Sequence, residues 1–144
     1  MVTIQQLLDR KGDEVVCIHP DATVLDAIAK MADNDIGSVV VVDQGLLVGI
    51  VTERHYARNV MLKGKTSPGT RVKEIMEKDV VTARPEQSVE QCMAIMTEQR
   101  IRHLPVIDRG RLVGIVSIGD LMKSVIGDQK FDIDQLEHYI QGIL

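Results

Sequence analysis

The chain is written twice. Glu14–Met61 aligns with Asp79–Ile126 at a constant offset of 65 residues, with no gap and 16 identities in 48 positions, where average residue usage gives about three by chance. The matches include Val15/Val80, Pro20/Pro85, Val24/Val89, Met31/Met96, Ile36/Ile101, Asp43/Asp108 and the "LVGIV" stretches Leu47–Val51 and Leu112–Val116. Whatever one copy forms, the other forms too. A unit of about sixty residues buries too little apolar surface to be comfortable alone, so the two copies are expected to pack together.

Each copy has the same internal order. "EVVCI" and "DVVTA" are short β-rich runs closed by Pro20 and Pro85. Val24, Ala27, Ile28 and Met31, or Val89, Cys92, Met93 and Met96, then recur at helical spacing. Thr23 with Asp26, and Ser88 with Gln91, fit capping boxes at the helix starts. "GSVVVVD-QG-LLVGIVT" and "RHLPVID-RG-RLVGIVS" read as strand pairs joined by tight turns whose glycine takes positive φ. The helices "ERHYARNVM" and "GDLMKSVI" complete a β-α-β-β-α unit. The first strand pairs in parallel with the second through the helical crossover.

The expected fold is α/β of the α+β type: a tandem pair of β-α-β-β-α units packed sheet to sheet with pseudo-two-fold symmetry. The division is 1–66, with an N-terminal helix "IQQLLDR" and a linker; 67–127, opened by the short helix "VKEIMEK"; and 128–144, a turn and terminal helix. Ile133, Leu136, Tyr139 and Ile140 form a stripe on that last helix with no place in either repeat, a candidate dimer contact.

Composition narrows the function. A net charge of −4, no Trp, and only Phe131, Tyr56 and Tyr139 as aromatic residues argue against nucleic acid as a partner. No apolar run is long enough to span a membrane, and the first residues lack a secretion-signal pattern, so the expectation is a cytoplasmic protein. Cys17 and Cys92 show neither disulfide nor zinc spacing, and no metal is expected. "KGKT" at Lys63–Thr66 follows a helix and has Asn59 where a phosphate loop needs its first glycine. "DND" at Asp33–Asp35 lacks the rest of a calcium loop, and no G-x-S-x-G or H-E-x-x-H occurs. The chain is not expected to be an enzyme.

Two such units, each carrying an apolar strand before "hPVhD-x-G-x-hhGIh-[S/T]-x-x-D", resemble a pair of CBS domains, the arrangement called a Bateman module. The resemblance spans about Ile4 to Ile126 and is strongest at "RHLPVIDRGRLVGIVSIGDL". The first repeat departs where His55 replaces aspartate and Val40 replaces proline. The resemblance implies a non-catalytic sensor that holds AMP, ADP, ATP, NAD or S-adenosylmethionine in two clefts between the repeats, associates as a homodimer and regulates a partner protein. An interaction adaptor with empty clefts is the alternative.

Ser117 and Asp120 can be read in two ways. Ser-x-x-Asp entering a helix is itself a capping box. Alternatively, the helix start with Ser117 receives a phosphate, Gly119 allows close approach, Arg102 and His103 add charge-assisted donors, and the Asp120 carboxylate accepts from the two hydroxyls of a ribose. The resemblance places the base of that ligand against Val16 and Ile18, flanked by Ile36, Gly37 and Ser38, with Lys11 nearby. The twin cleft uses Thr52 and His55, with Val81, Ala83, Ile101 and Arg102 opposite. A neutral imidazole has one acceptor nitrogen, so diol recognition is expected to be weaker there. Arg54 and Arg58 lead to the expectation of a more phosphate-rich ligand, or part of a dinucleotide. The alternative for His55 is a surface residue without a role.

Overall fold

The computed structural model describes the backbone of residues 1–143; the side chains of residues 128–133, 136, 137 and 139–143 lie outside the described set. The duplicated helices α2 (Val24–Asn34) and α5 (Val89–Gln99) start at the expected caps. Thr23 Oγ1 accepts the Asp26 N–H at 3.2 Å and Ser88 Oγ accepts the Gln91 N–H at 3.0 Å. The side chains of Asp26 and Gln91 accept the Thr23 and Ser88 N–H groups in return. Such a cap satisfies donors that a helix start leaves unpaired. Val24, Ala27 and Met31 of α2, and Val89, Cys92 and Met96 of α5, are buried.

Each helix leads into an antiparallel hairpin, β2 (Ser38–Asp43) with β3 (Leu46–Thr52) and β4 (His103–Asp108) with β5 (Arg111–Ser117). Both turn residues have positive φ in each, 51° and 79° at Gln44–Gly45 and 52° and 80° at Arg109–Gly110. That backbone matches the right-handed twist of the strands. The sheets meet through β3 and β5.

β1 (Cys17–Ile18) adds in parallel to β2, but its counterpart in the second unit is reduced to one bridge, Ala83 to Val106. Pro105 accounts for the difference. In the first unit the Val40 N–H donates to the Val16 carbonyl at 3.2 Å; Pro105 occupies the equivalent position and has no N–H to give. The ladder stops there, and the Val81 carbonyl is left without that strand partner.

The helices preceding each unit are exchanged. α1 (Ile4–Lys11) stands before the first unit in sequence, yet Ile4, Leu7 and Leu8 are buried in the second unit's core with Val89, Leu104 and Val116. α4 (Val72–Ile75) stands before the second unit, and Val72 and Ile75 are buried in the first unit's core with Val24, Val39 and Val51. Backbone pairs fix the exchange: Ile4 N–H to Gln87 O and Val89 N–H to Val2 O on one side, Val72 N–H to Ala22 O and Val24 N–H to Thr70 O on the other. Two glycines admit the exchanged helices. A Cβ on Gly114 would lie 2.7 Å from Leu8 Cδ2, and one on Gly49 would lie 2.6 Å from Met76 Sδ. The sequence boundary at 66/67 therefore separates α1 from the core it completes.

Three further elements differ from expectation. The helix after β3 is α3 (Glu53–Tyr56) continued by a π-helical turn, Ala57–Met61, in which the Leu62 N–H reaches the Ala57 carbonyl at 3.0 Å. "VKEIMEK" is helical only over α4, after which Glu77 pairs with Ile50 of β3 in both directions. The turn expected after Ile126 is absent: α6 runs unbroken over Ile118–Ile143, through Gly127. A single interior glycine costs about 1 kcal/mol, too little to stop a helix. The stripe Ile133, Leu136, Tyr139 and Ile140 lies outside the described side chains.

Candidate functional site

The two hairpin-to-helix junctions are the same device with different acceptors. In the second unit, Asp120 Oδ2 accepts the Ser117 N–H at 2.8 Å while Ser117 Oγ accepts the Asp120 N–H at 3.1 Å. In the first, His55 Nδ1 accepts the Thr52 N–H at 3.1 Å while Thr52 Oγ1 accepts the His55 N–H at 3.2 Å. The capping reading of Ser117 and Asp120 is thus met in the fold, and His55 caps as well. An N–H is donated only to a lone pair, so Nδ1 is unprotonated and a neutral ring carries its proton on Nε2. Burial pushes the His55 pKa down; Glu77 opposes this, and Arg54 and Arg58 reinforce it.

Asp120 has a further partner. Lys11 Nζ, at the end of α1, lies 2.7 Å from Asp120 Oδ2 and 2.9 Å from the Ile115 carbonyl. Ile115 is the counterpart of Ile50, whose carbonyl takes the Glu77 N–H at 2.9 Å; an ammonium thus does in one unit what a backbone amide does in the other. Burial raises the Asp120 carboxyl, but the hydrogen bonds from Lys11 and the Ser117 N–H, with the Lys11 charge, hold it below the usual carboxylate range overall.

A cavity of about 590 Å³ lies on the His55 side. Thr52, Arg54, His55 and Arg58 form one wall, and Val81, Ile101 and Arg102 of the second unit form another. Gly37 and His103, expected at the Asp120 cleft, line this cavity, and His103 also pairs with Ser117 across the β4–β5 hairpin. Burial pushes the His103 pKa down; Asp120 opposes this, and Arg102 and Lys11 reinforce it.

Of the other residues singled out in the sequence, Lys11, Ser117 and Asp120 come together, with Gly119 beside the Ser117 hydroxyl. Ile18 and Ala83 are buried in the two cores, and Val16 packs against the first. Ser38 is buried opposite Thr52. Ile36 lines a second cleft of about 480 Å³ with Met31, Asp35 and Tyr56.

Sequence reasoning missed Glu53, Glu77, Asp79, Gln99 and Arg100 in the cavity wall. Arg100 was legible in principle: it is the position after α5 where a helix ends left-handed, and its φ is 56°. Four arginines against three acids leave the wall slightly basic. No group of acidic, histidine or cysteine side chains suited to a metal occurs among the described residues, and none of their helices is long and apolar enough to cross a membrane.

Comparison with known proteins agrees with this architecture. A family model for the CBS domain matches twice, over residues 6–61 and 72–127. The Arabidopsis thaliana protein named CBS domain-containing protein CBSX3, mitochondrial, is 41% identical over 97% of this chain and 72% of its own length. The structure of a protein with CBS domains from Burkholderia ambifaria MC40-6 superposes with a TM-score of 0.87 at 50% identity, covering 89% of this chain and 96% of that one. The CBS domain pair of protein MJ0100, solved in complex with 5′-methylthioadenosine and S-adenosyl-L-methionine, superposes with a TM-score of 0.80 at 25% identity, covering 89% of this chain and 98% of that one.

Proposed function

Since the chain belongs to the CBS domain family, we propose that it is a non-catalytic regulatory module whose cavity between the two units binds an adenosine-containing nucleotide. Paired CBS domains are regulatory modules. The observation that carries the reading is the cavity itself, which draws its walls from both units and has about 590 Å³, within the range of about 300–1,000 Å³ typical of small-molecule sites. Thr52, Arg54, His55, Arg58 and Arg102 supply polar and cationic groups, and Ile50, Val80, Val81 and Ile101 supply apolar surface. That combination suits a flat base carrying phosphates. The Val81 carbonyl, deprived of a ladder partner by Pro105, is an acceptor for the amino group of adenine. The ligands of the MJ0100 pair are both adenosine derivatives, which supports the same class here.

A ligand regulates only if it binds one arrangement better than another. Arg54 and Arg58 belong to the helical segment that ends in the exposed side chains of Met61 and Leu62. Holding those arginines holds that surface, which is where a second copy of the chain or a regulated protein would sense the ligand. The Ser117–Asp120 cleft is the second site of the reading, available to a ribose once Lys11 leaves.

A thermal-shift series with AMP, ADP, ATP, NAD and S-adenosylmethionine tests the proposal. A ligand at a hundred times its Kd stabilises the fold by about 2.7 kcal/mol. No shift with any of them would favour the adaptor reading, to which the exposed Leu25, Met61, Leu62, Met122 and Ile126 also point.

A further inference from the structure

We infer that His55 is a hydrogen-bond donor to the ligand and makes the open cavity a phosphate-facing site, one that selects a charged nucleotide over its uncharged nucleoside. The inference rests on the nucleotide reading above and deepens it. Its basis is the fixed direction of the ring. Nδ1 is committed to the Thr52 N–H at 3.1 Å, so the proton sits on Nε2, which has no hydrogen-bond partner among the described residues. The twin position holds a carboxylate, whose second oxygen stays an acceptor after the cap is made. A ribose diol donates and needs acceptors; a phosphate accepts and needs donors. His55 gives one N–H and no acceptor.

The neighbours agree. Arg54 and Arg58 are four apart on the same helical segment and line the same cavity as His55, with Arg100 and Arg102 across from them. The acids in the wall are Glu53, Glu77 and Asp79. Glu77 is partly engaged, its carboxylate accepting the Asp79 N–H at 3.0 Å, and both Glu77 and Asp79 lie on the connector; Glu53 opens the arginine-bearing segment, but its carboxylate lies beside Gly37. The phosphate is thereby directed to the Arg54–Arg58 wall. Burial disfavours the charged form of the ring.

The chain supplies its own controls. Gln91 and Asp120 both serve as the partner in working capping boxes, so His55→Gln and His55→Asp each preserve the fold, while Gln keeps an N–H donor toward the cavity and Asp replaces it with a carboxylate. Binding of AMP and of adenosine is measured by isothermal titration on the full chain in an Asp120→Asn background, which removes the twin carboxylate's charge. Without a His55 change, AMP binds about tenfold or more tighter than adenosine, the scale of a charge-assisted hydrogen bond. His55→Gln retains that preference and His55→Asp loses it. Equal binding of AMP and adenosine, or an unchanged preference in His55→Asp, overturns the inference while leaving the nucleotide reading standing. Binding of neither compound overturns both.

Discussion

The Lys11 ammonium sits 2.7 Å from the Asp120 carboxylate and bonds the Ile115 carbonyl as well, tying the end of the first helix to the start of the last. The carboxylate that the sequence offers for a sugar is held by the protein's own cation. Lys11→Met removes that cation. The expected result is a second adenosine-binding event per chain in isothermal titration, with a loss of about 1 kcal/mol in stability for a pair of this exposure.

Gly114 is where the exchanged helix α1 lies against β5. Gly114→Ala puts a methyl within 2.7 Å of Leu8, which is itself buried. Overpacking of this kind costs about 1–3 kcal/mol, read as a lower denaturant midpoint. Gly127→Ala, where a Cβ meets nothing within 4 Å, should instead leave stability unchanged or raise it by up to about 1 kcal/mol.

Pro105→Val supplies the N–H that the second sheet lacks. The new amide should pair with the Val81 carbonyl as Val40 pairs with Val16, detected as slowed hydrogen exchange at residue 105. The same bond takes up the acceptor assigned to adenine, so affinity for AMP should fall about fivefold to tenfold for one hydrogen bond. Protection without any loss of affinity would mean that Val81 does not meet the base.

Acid should weaken the fold in two windows. His55 and His103 have pKa values pushed down by burial. As pH falls below the ordinary imidazole value of about 6.5, the unfolded chain therefore takes up protons that the folded chain refuses, and stability drops until the lowered folded values are passed. Asp120 acts at lower pH. Its folded pKa is depressed, so its contribution is complete above the ordinary aspartate value of about 3.9 and is lost as pH falls through the folded value. Urea melts from pH 8 to 3 should show both windows. His55→Gln should shrink the upper one to the part that His103 contributes, and Asp120→Asn should reduce the lower.

Much of this was legible because it is local. The capping residues Thr23 and Ser88, the glycines of the two hairpin turns and the apolar stripe of α2 each act within a few positions of themselves, so sequence spacing reveals them. The exchange of α1 and α4 was not legible. An amphipathic stripe such as Ile4, Leu7 and Leu8 says that a face is buried without saying against which of two nearly identical cores. The cavity wall was half legible for the same reason: Thr52, Arg54, His55 and Arg58 follow from the repeat, whereas Glu77 and Asp79 reach it only because the connector folds back to pair with Ile50. The resemblance implies only that Lys11 lies near the site; its role as the Asp120 counter-ion depends on α1 ending beside α6, a contact across 109 positions. Pro105 shows the opposite case, a visible departure between the repeats whose consequence, a lost strand partner, becomes clear only once the register of Val16 with Val40 is known.

The most direct test is a crystal structure of the full chain grown with excess ATP. The account predicts a nucleotide in the cavity between the units, with its phosphates against Arg54, His55 and Arg58 and its base beside Val81. A cavity holding only solvent under those conditions, with the nucleotide absent or bound elsewhere, would contradict it.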